Sequence, residues 1–101
     1  MIAKILIKRR FKEGSTPQIV AILNDMRRLA MSWPGYQSGE TLIKNGYPND
    51  MTVISTWRSF EQWQDWKESD DRKKFEAMLE IYQEGATEYE EYLLGSPLHR
   101  S

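Results

Sequence analysis

The sequence predicts an α+β fold, a single domain with the element order β-α-β-β-α-β. In this split βαβ arrangement a four-stranded antiparallel sheet carries its helices on one face. Three observations predict it. Period-2 alternation of apolar residues recurs at both ends and in the middle of the chain, the mark of strands. Between those stretches, apolar residues recur at three- and four-residue spacings, the mark of amphipathic helices. A length of 101 residues leaves no room for a second core.

Met1 to Phe11 is the first strand. Met1, Ala3, Ile5, Ile7 and Phe11 share one face, with Arg9 as the exception; Ile2, Lys4, Leu6, Lys8 and Arg10 share the other. Lys12 to Ser15 breaks the alternation. Thr16 then offers a capping hydroxyl, and Pro17 fits the first helical position because its missing N–H has no partner there anyway. Ile19, Ile22, Leu23, Met26, Leu29, Ala30 and Trp33 form the apolar stripe of this helix, and Pro34-Gly35 is expected to end it. Tyr36 to Asn45 reads as the second strand, residues 46–50 as a turn and Met51 to Arg58 as the third strand, which makes an antiparallel hairpin. Ser59 with Gln62 three residues on forms a capping box. Phe60, Trp63 and Trp66 carry the helical period that follows. Ser69-Asp70-Asp71 reads as a second cap and a bend, with acids at the positive end of a helix. Phe75, Met78, Leu79 and Tyr82 form the next stripe, with Gly85 as its stop. Thr87 to Leu94 is the last strand. The domain is thus expected over residues 1–95, with 96–101 as a tail.

Composition excludes several functions. With 14 Lys+Arg against 15 Asp+Glu, the basic strand around Lys8, Arg9 and Arg10 gives no net positive field, so no nucleic acid is expected. No apolar run approaches the roughly 20 residues of a membrane span, and no membrane partner is expected. With no cysteine there is no thiolate metal site, and with one histidine, His99 in the last three residues, a multi-histidine metal site or a serine–histidine triad within one chain is close to excluded. No metal and no cofactor is expected. The absence of cysteine is compatible with the cytoplasm, the expected location. The sheet face away from the helices is expected to carry Ile2, Leu6, Ile43 and Ile54; a face this apolar is usually covered, here by a second copy of the chain.

Several segments carry a family resemblance: Trp33-Pro34-Gly35-Tyr36 before a strand with Ser38-Gly39-Glu40, then Ile54-Ser55-Thr56-Trp57-Arg58-Ser59, then Trp63-Gln64-Asp65-Trp66-Lys67-Glu68-Ser69. Together with the element order, they resemble the antibiotic biosynthesis monooxygenase family of ferredoxin-like domains over roughly residues 1–95. The resemblance implies a dimeric α/β barrel, a homodimer built through the open sheet face. It also implies one of several activities: oxygenation of quinol-like aromatics without metal or flavin, haem degradation, or no chemistry at all. For the haem-degrading members, Trp66 matches a site tryptophan, but their asparagine position falls at Ile7 and their histidine position at Glu76. An isoleucine donates no hydrogen bond and a carboxylate replaces an imidazole ligand poorly, so haem degradation is disfavoured.

The candidate substrate-binding residues are therefore Trp66, Trp57, Ser55, Ile7 and Phe75. Trp66 falls where the family lines its cavity, and Trp57 and Ser55 share an inward strand face with Val53. Ser38 and Glu40 are further polar candidates on the neighbouring strand. The catalytic candidates are Glu76 and Arg72. Two placements of Glu76 are open: on a solvated helix surface, or inward, where desolvation raises a carboxyl's pKa and makes it a general base. In the second case Arg72 could hold a substrate oxyanion. Two functions remain. One is a small cofactor-independent monooxygenase acting on an aromatic or quinol-like compound. The other is a non-catalytic, small-molecule-binding or stress-related dimeric module. An open aromatic pocket with an inward acid or arginine favours the first, and a pocket filled by its own side chains the second.

Overall fold

The structure is a computed structural model, and it describes residues 1–95. Its elements follow the order β1 (Ala3–Arg10), α1 (Thr16–Met31), β2 (Tyr36–Lys44), β3 (Tyr47–Trp57), α2 (Phe60–Lys67), α3 (Asp70–Glu80) and β4 (Glu88–Leu93). The sheet runs β2-β3-β1-β4 with every neighbouring pair antiparallel. This is the ferredoxin-like order, with the second helical layer divided in two. The division falls where the sequence has a second serine cap. Ser59 Oγ accepts from Gln62 N at 3.2 Å and starts α2, and Ser69 Oγ accepts from Arg72 N at 3.1 Å and starts α3.

Several boundaries differ from the sequence reading. Helix α1 is capped at Ser15 rather than Thr16, without a side-chain bond, and ends at Met31, so Trp33 stands in the turn that follows. The β2–β3 turn is only Asn45-Gly46, with Gly46 at φ +82°, and residues 47–50 already belong to β3. Helix α3 ends at Glu80, five residues before Gly85. Its inward face is Arg72, Phe75, Glu76 and Leu79, and Met78 is exposed.

The register decides which side chains meet. Ala3, Ile5, Ile7 and Arg9 of β1 lie opposite Trp57, Ser55, Val53 and Met51 of β3, all toward the helices. Arg9 is therefore no exception to the strand's alternation. It occupies the inward register and is buried. Ile43 pairs with Met51 and so stands on the helix side, whereas Leu42, opposite Thr52, is on the open face. This corrects the expected open face, which carries Ile2, Leu6, Leu42 and Ile54 instead. Ser38 and Glu40 pair with Thr56 and Ile54, so they point away from the helices as well.

The core joins β1 and β3 to one face of each helix. Ile5, Trp57, Trp63 and Leu79 are its largest fully buried side chains. Burying a large apolar side chain contributes about 1.5–3 kcal/mol, so these four anchor the layers to each other. The expected tail, residues 96–101 with His99, lies outside the described residues.

Candidate functional site

A cavity of about 110 Å³ lies between the inner face of the sheet and helix α1. Its sheet wall includes Ile7, Val53 and Ser55, and its helix wall includes Met26 and Ala30. Trp66 from α2 and Arg72 from α3 line it as well. An apolar cavity of roughly 150 Å³ takes up benzene, so this one has room for about a single ring, with more at its open side. The alternation of β1 and β3 explains why it is there. Ile7 and Val53 are opposite one another, and beside them Gly39 of β2 contributes no side chain.

Four of the seven residues expected from the sequence line this cavity: Ile7, Ser55, Trp66 and Arg72. Trp57 does not. It is fully buried behind Ser55, and its Nε1 donates to Ser55 Oγ at 2.7 Å. That bond uses one acceptor lone pair of Ser55 and leaves the hydroxyl proton to donate. Phe75 is partly buried and packs on the core without lining the cavity. Glu76 does point inward, which decides between its two open placements, but it meets cations rather than an apolar wall.

Those cations are Arg9 and Arg72. Arg9 Nη2 donates to Glu76 Oε1, and Arg72 Nη2 is 3.3 Å from the same oxygen. Thr87 Oγ1 donates to the other oxygen, Oε2, at 3.1 Å. Both guanidinium side chains are only 3% exposed, and Glu76 is 14% exposed. Arg72 also faces the rings of Trp63 and Tyr89, 5.4 and 5.3 Å from their centroids, a cation–π arrangement that favours its charge. The neighbouring Arg10 is different in kind. It is exposed and paired with Asp50, whose hydrogen bond and charge raise its pKa above the ordinary arginine value.

Sequence reasoning missed Arg9. The signal was present: a charged residue in phase with Ala3, Ile5 and Ile7 on a buried strand face is either paired or functional. Its partner lies on α3, far along the chain, and no local spacing points to it.

Four indoles pack in succession, and of these Trp66 alone lines the cavity. Trp33 and Trp66 are 5.1 Å apart between ring centroids, Trp57 and Trp66 are near-parallel at 6.4 Å, and Trp57 and Trp63 are 6.0 Å apart. Such pairs contribute about 0.5–1.5 kcal/mol beyond area burial, enough to hold Trp66 as a fixed wall. Among the described residues no group of three or more His, Cys, Asp or Glu side chains could hold a metal ion. No helix among them is long and apolar enough to cross a membrane.

The fold and the site define a small ferredoxin-like domain whose sheet and helices enclose an apolar, arginine-bearing cavity. Residues 2–78 match the antibiotic biosynthesis monooxygenase family, and the chain belongs to that family. Solved structures share its fold. One is a conserved protein from Methanosarcina mazei Go1, with 14% identity, TM-score 0.84 and 91% of each chain covered. Another is SnoaB, a cofactor-independent oxygenase from Streptomyces nogalater, with 10% identity, TM-score 0.82 and 98% of each chain covered. A third is Rv0793 from Mycobacterium tuberculosis, with 9% identity, TM-score 0.82, and 98% of this chain and 100% of that one covered. No curated protein matches the sequence.

Proposed function

We propose that the chain is a small monooxygenase that oxidises a phenol or quinol-like aromatic with dioxygen, without metal or flavin. The observation that carries this reading is the open cavity itself, with an indole wall, a free hydroxyl proton and a buried guanidinium on one small apolar surface. Family membership and the likeness to SnoaB, described as a cofactor-independent oxygenase, support it.

The reaction balances as follows. The substrate's O–H gives its proton to water at the cavity mouth. The ring anion passes one electron to dioxygen, and the two radicals join through a new C–O bond. The peroxide anion so formed takes a proton back from water, and the hydroperoxide then loses water as its O–O bond breaks and the carbon gives up its remaining hydrogen. One oxygen atom stays on the substrate as a carbonyl and the other leaves as water. In this reading Arg72 and the Ser55 hydroxyl hold the oxyanion, because fixed donors in a dry site stabilise charge better than water does. Trp66 and Ile7 hold the ring. Trp57 orients Ser55, and Phe75 backs α3. Glu76 is a positioning residue that acts through the arginines. It does not line the cavity, which is why the proton goes to solvent.

The reading includes a homodimer through the open face of Ile2, Leu6, Leu42 and Ile54, burying about 1,500 Å² in total. We place it in the cytoplasm, where a chain without cysteine loses nothing to reduction.

One observation favours the second reading, a dimeric binding or stress-related module: among the described residues, no carboxylate or imidazole lines the cavity to act as a base. Oxygen uptake with a panel of quinols and anthrones, run beside a haem titration, separates the two. The monooxygenase consumes one dioxygen per substrate at a rate unaffected by chelator and lost in Trp66→Ala. Binding of the same compounds with no uptake above the protein-free rate would assign the module.

A further inference from the structure

We propose that the cavity takes its aromatic ligand as an anion, with Arg9 and Arg72 together receiving the charged oxygen. The inference names the ligand class of the cavity read above as a substrate site. It rests on that reading of the cavity, not on the oxygen chemistry.

Charge balance is the first argument. Arg9 and Arg72 carry two positive charges into the interior, and Glu76 supplies one negative charge to both. One positive charge is left over. Buried charges are ordinarily paired, because removal from water costs several kcal/mol per ion. The cavity wall adds nothing to offset it. Among the described residues, Arg9, Arg27 and Arg72 all line the cavity, and no Asp or Glu does.

Hydrogen bonding is the second argument and is independent of the first. Arg9 Nε and Arg72 Nη2 are buried donors without a hydrogen-bond partner. Arg72 Nη2 is within ion-pair distance of Glu76, but its direction does not make a hydrogen bond. Orphaned buried donors are rare; both side chains line the cavity, and these two nitrogens, which have no open surface of their own, mark guanidiniums that Glu76 alone does not satisfy. A carboxylate or phenolate entering the cavity would cancel the surplus charge, and a neutral group would not.

The apolar remainder of the wall fixes the other end of the ligand. Ile7, Val53, Met26 and the Trp66 indole leave room for about one ring, by the size comparison above. A single aromatic ring bearing an ionised oxygen fits both halves.

The test uses the whole chain under anaerobic conditions, so that no turnover intervenes. Benzoate and its neutral isostere benzamide are titrated against tryptophan fluorescence, which Trp66 makes sensitive to the cavity. Benzoate is expected to bind at least about tenfold more tightly, the scale of one charge-assisted hydrogen bond. Arg9→Met should bring the ratio close to one, while Arg28→Ala, exposed and outside the cavity, should leave it unchanged. A third probe, 4-nitrophenol, distinguishes the source of the anion. If phenolates are taken up, the protein turns the solution yellow at a pH where the free phenol is colourless. If only benzoate binds, the receptor is for carboxylates. Equal binding of benzoate and benzamide by the unmodified chain overturns the proposal, whether or not Arg9→Met folds. The outcomes separate from those of the oxygenase reading. Anion preference without oxygen uptake leaves this inference standing alone, and uptake without anion preference leaves only the other.

Discussion

Arg9 and Glu76 are 67 positions apart in the chain and share one ion pair beneath the cavity, between the central strand and α3. The pair ties the sheet to the helical layer, with Arg72 and the Thr87 hydroxyl on the same carboxylate. It also holds the Arg9 side chain against the cavity.

Removing its carboxylate should be costly. Glu76→Gln keeps the shape but leaves Arg9 and Arg72 without a countercharge. Breaking a buried pair costs about 3–5 kcal/mol. Urea unfolding should show a loss near the lower end of that range, since Glu76 keeps some exposure. A loss within about 0.5 kcal/mol, the scatter of ordinary surface substitutions, would mean that the pair is not structural.

The neighbouring arginine serves as the contrast. Arg10 pairs with Asp50 at the surface at 3.0 Å. Exposed pairs contribute little, because water and salt screen the charges. Arg10→Ala should therefore leave the urea midpoint nearly unchanged and become still less visible in high salt. A shift as large as that of Glu76→Gln would contradict the division between a buried and a screened pair.

Ser55→Ala removes the acceptor of Trp57 Nε1 in a region closed to water. An unsatisfied buried donor costs about 1–3 kcal/mol. The expected signature is lower stability together with an altered indole N–H resonance for Trp57 in an NMR spectrum. An unchanged resonance would show that Ser55 does not hold that ring.

Gly35 sits at φ +89° in the turn after α1, and a Cβ there would come within 2.6 Å of Gln62 Cβ. Its carbonyl also accepts from Arg58 N at 2.8 Å, so the loop cannot swing away freely. Gly35→Ala combines left-handed strain with a clash, and a loss of about 1–3 kcal/mol is expected. Wild-type thermal stability in this variant would refute the turn geometry.

The open face gives an oligomer test. Leu6 and Ile54 stand directly opposite each other on β1 and β3, away from the helices. Sedimentation should give a dimer for the native chain and a folded monomer for Leu6→Glu with Ile54→Glu. A native monomer at micromolar concentration would remove the dimer from the proposed function.

Much of this was legible in the sequence, and the misses share a cause. The caps at Ser59 and Ser69 are local hydrogen-bond patterns, so spacing alone revealed them. The face of Ile43 was misjudged because it depends on register, and register depends on turn length. Residues 46–50 look like a five-residue turn, but Asn45-Gly46 closes the hairpin alone, and the pairing shifts at Ile43/Lys44 and Tyr36/Ser38. The candidate site divided the same way. Ser55 could be placed from strand alternation, Ile7 and Trp66 from what the family resemblance implies, and Arg72 only as the companion of an inward Glu76. The role of Arg9 could not, because its carboxylate comes from another layer.

Strand β1 lies between β3 and β4, so the earliest made of these four strands is hydrogen-bonded on both sides only by strands made later. Synthesis proceeds at about 5–20 residues per second, and β4 comes last of all. For several seconds the growing chain exposes Ile5 and Ile7 on a strand with at least one open edge. An unpaired apolar strand is a template for pairing with another chain. Lys4, Lys8 and Arg10, which alternate with those residues, place repelling charge along that edge while the chain waits for its end.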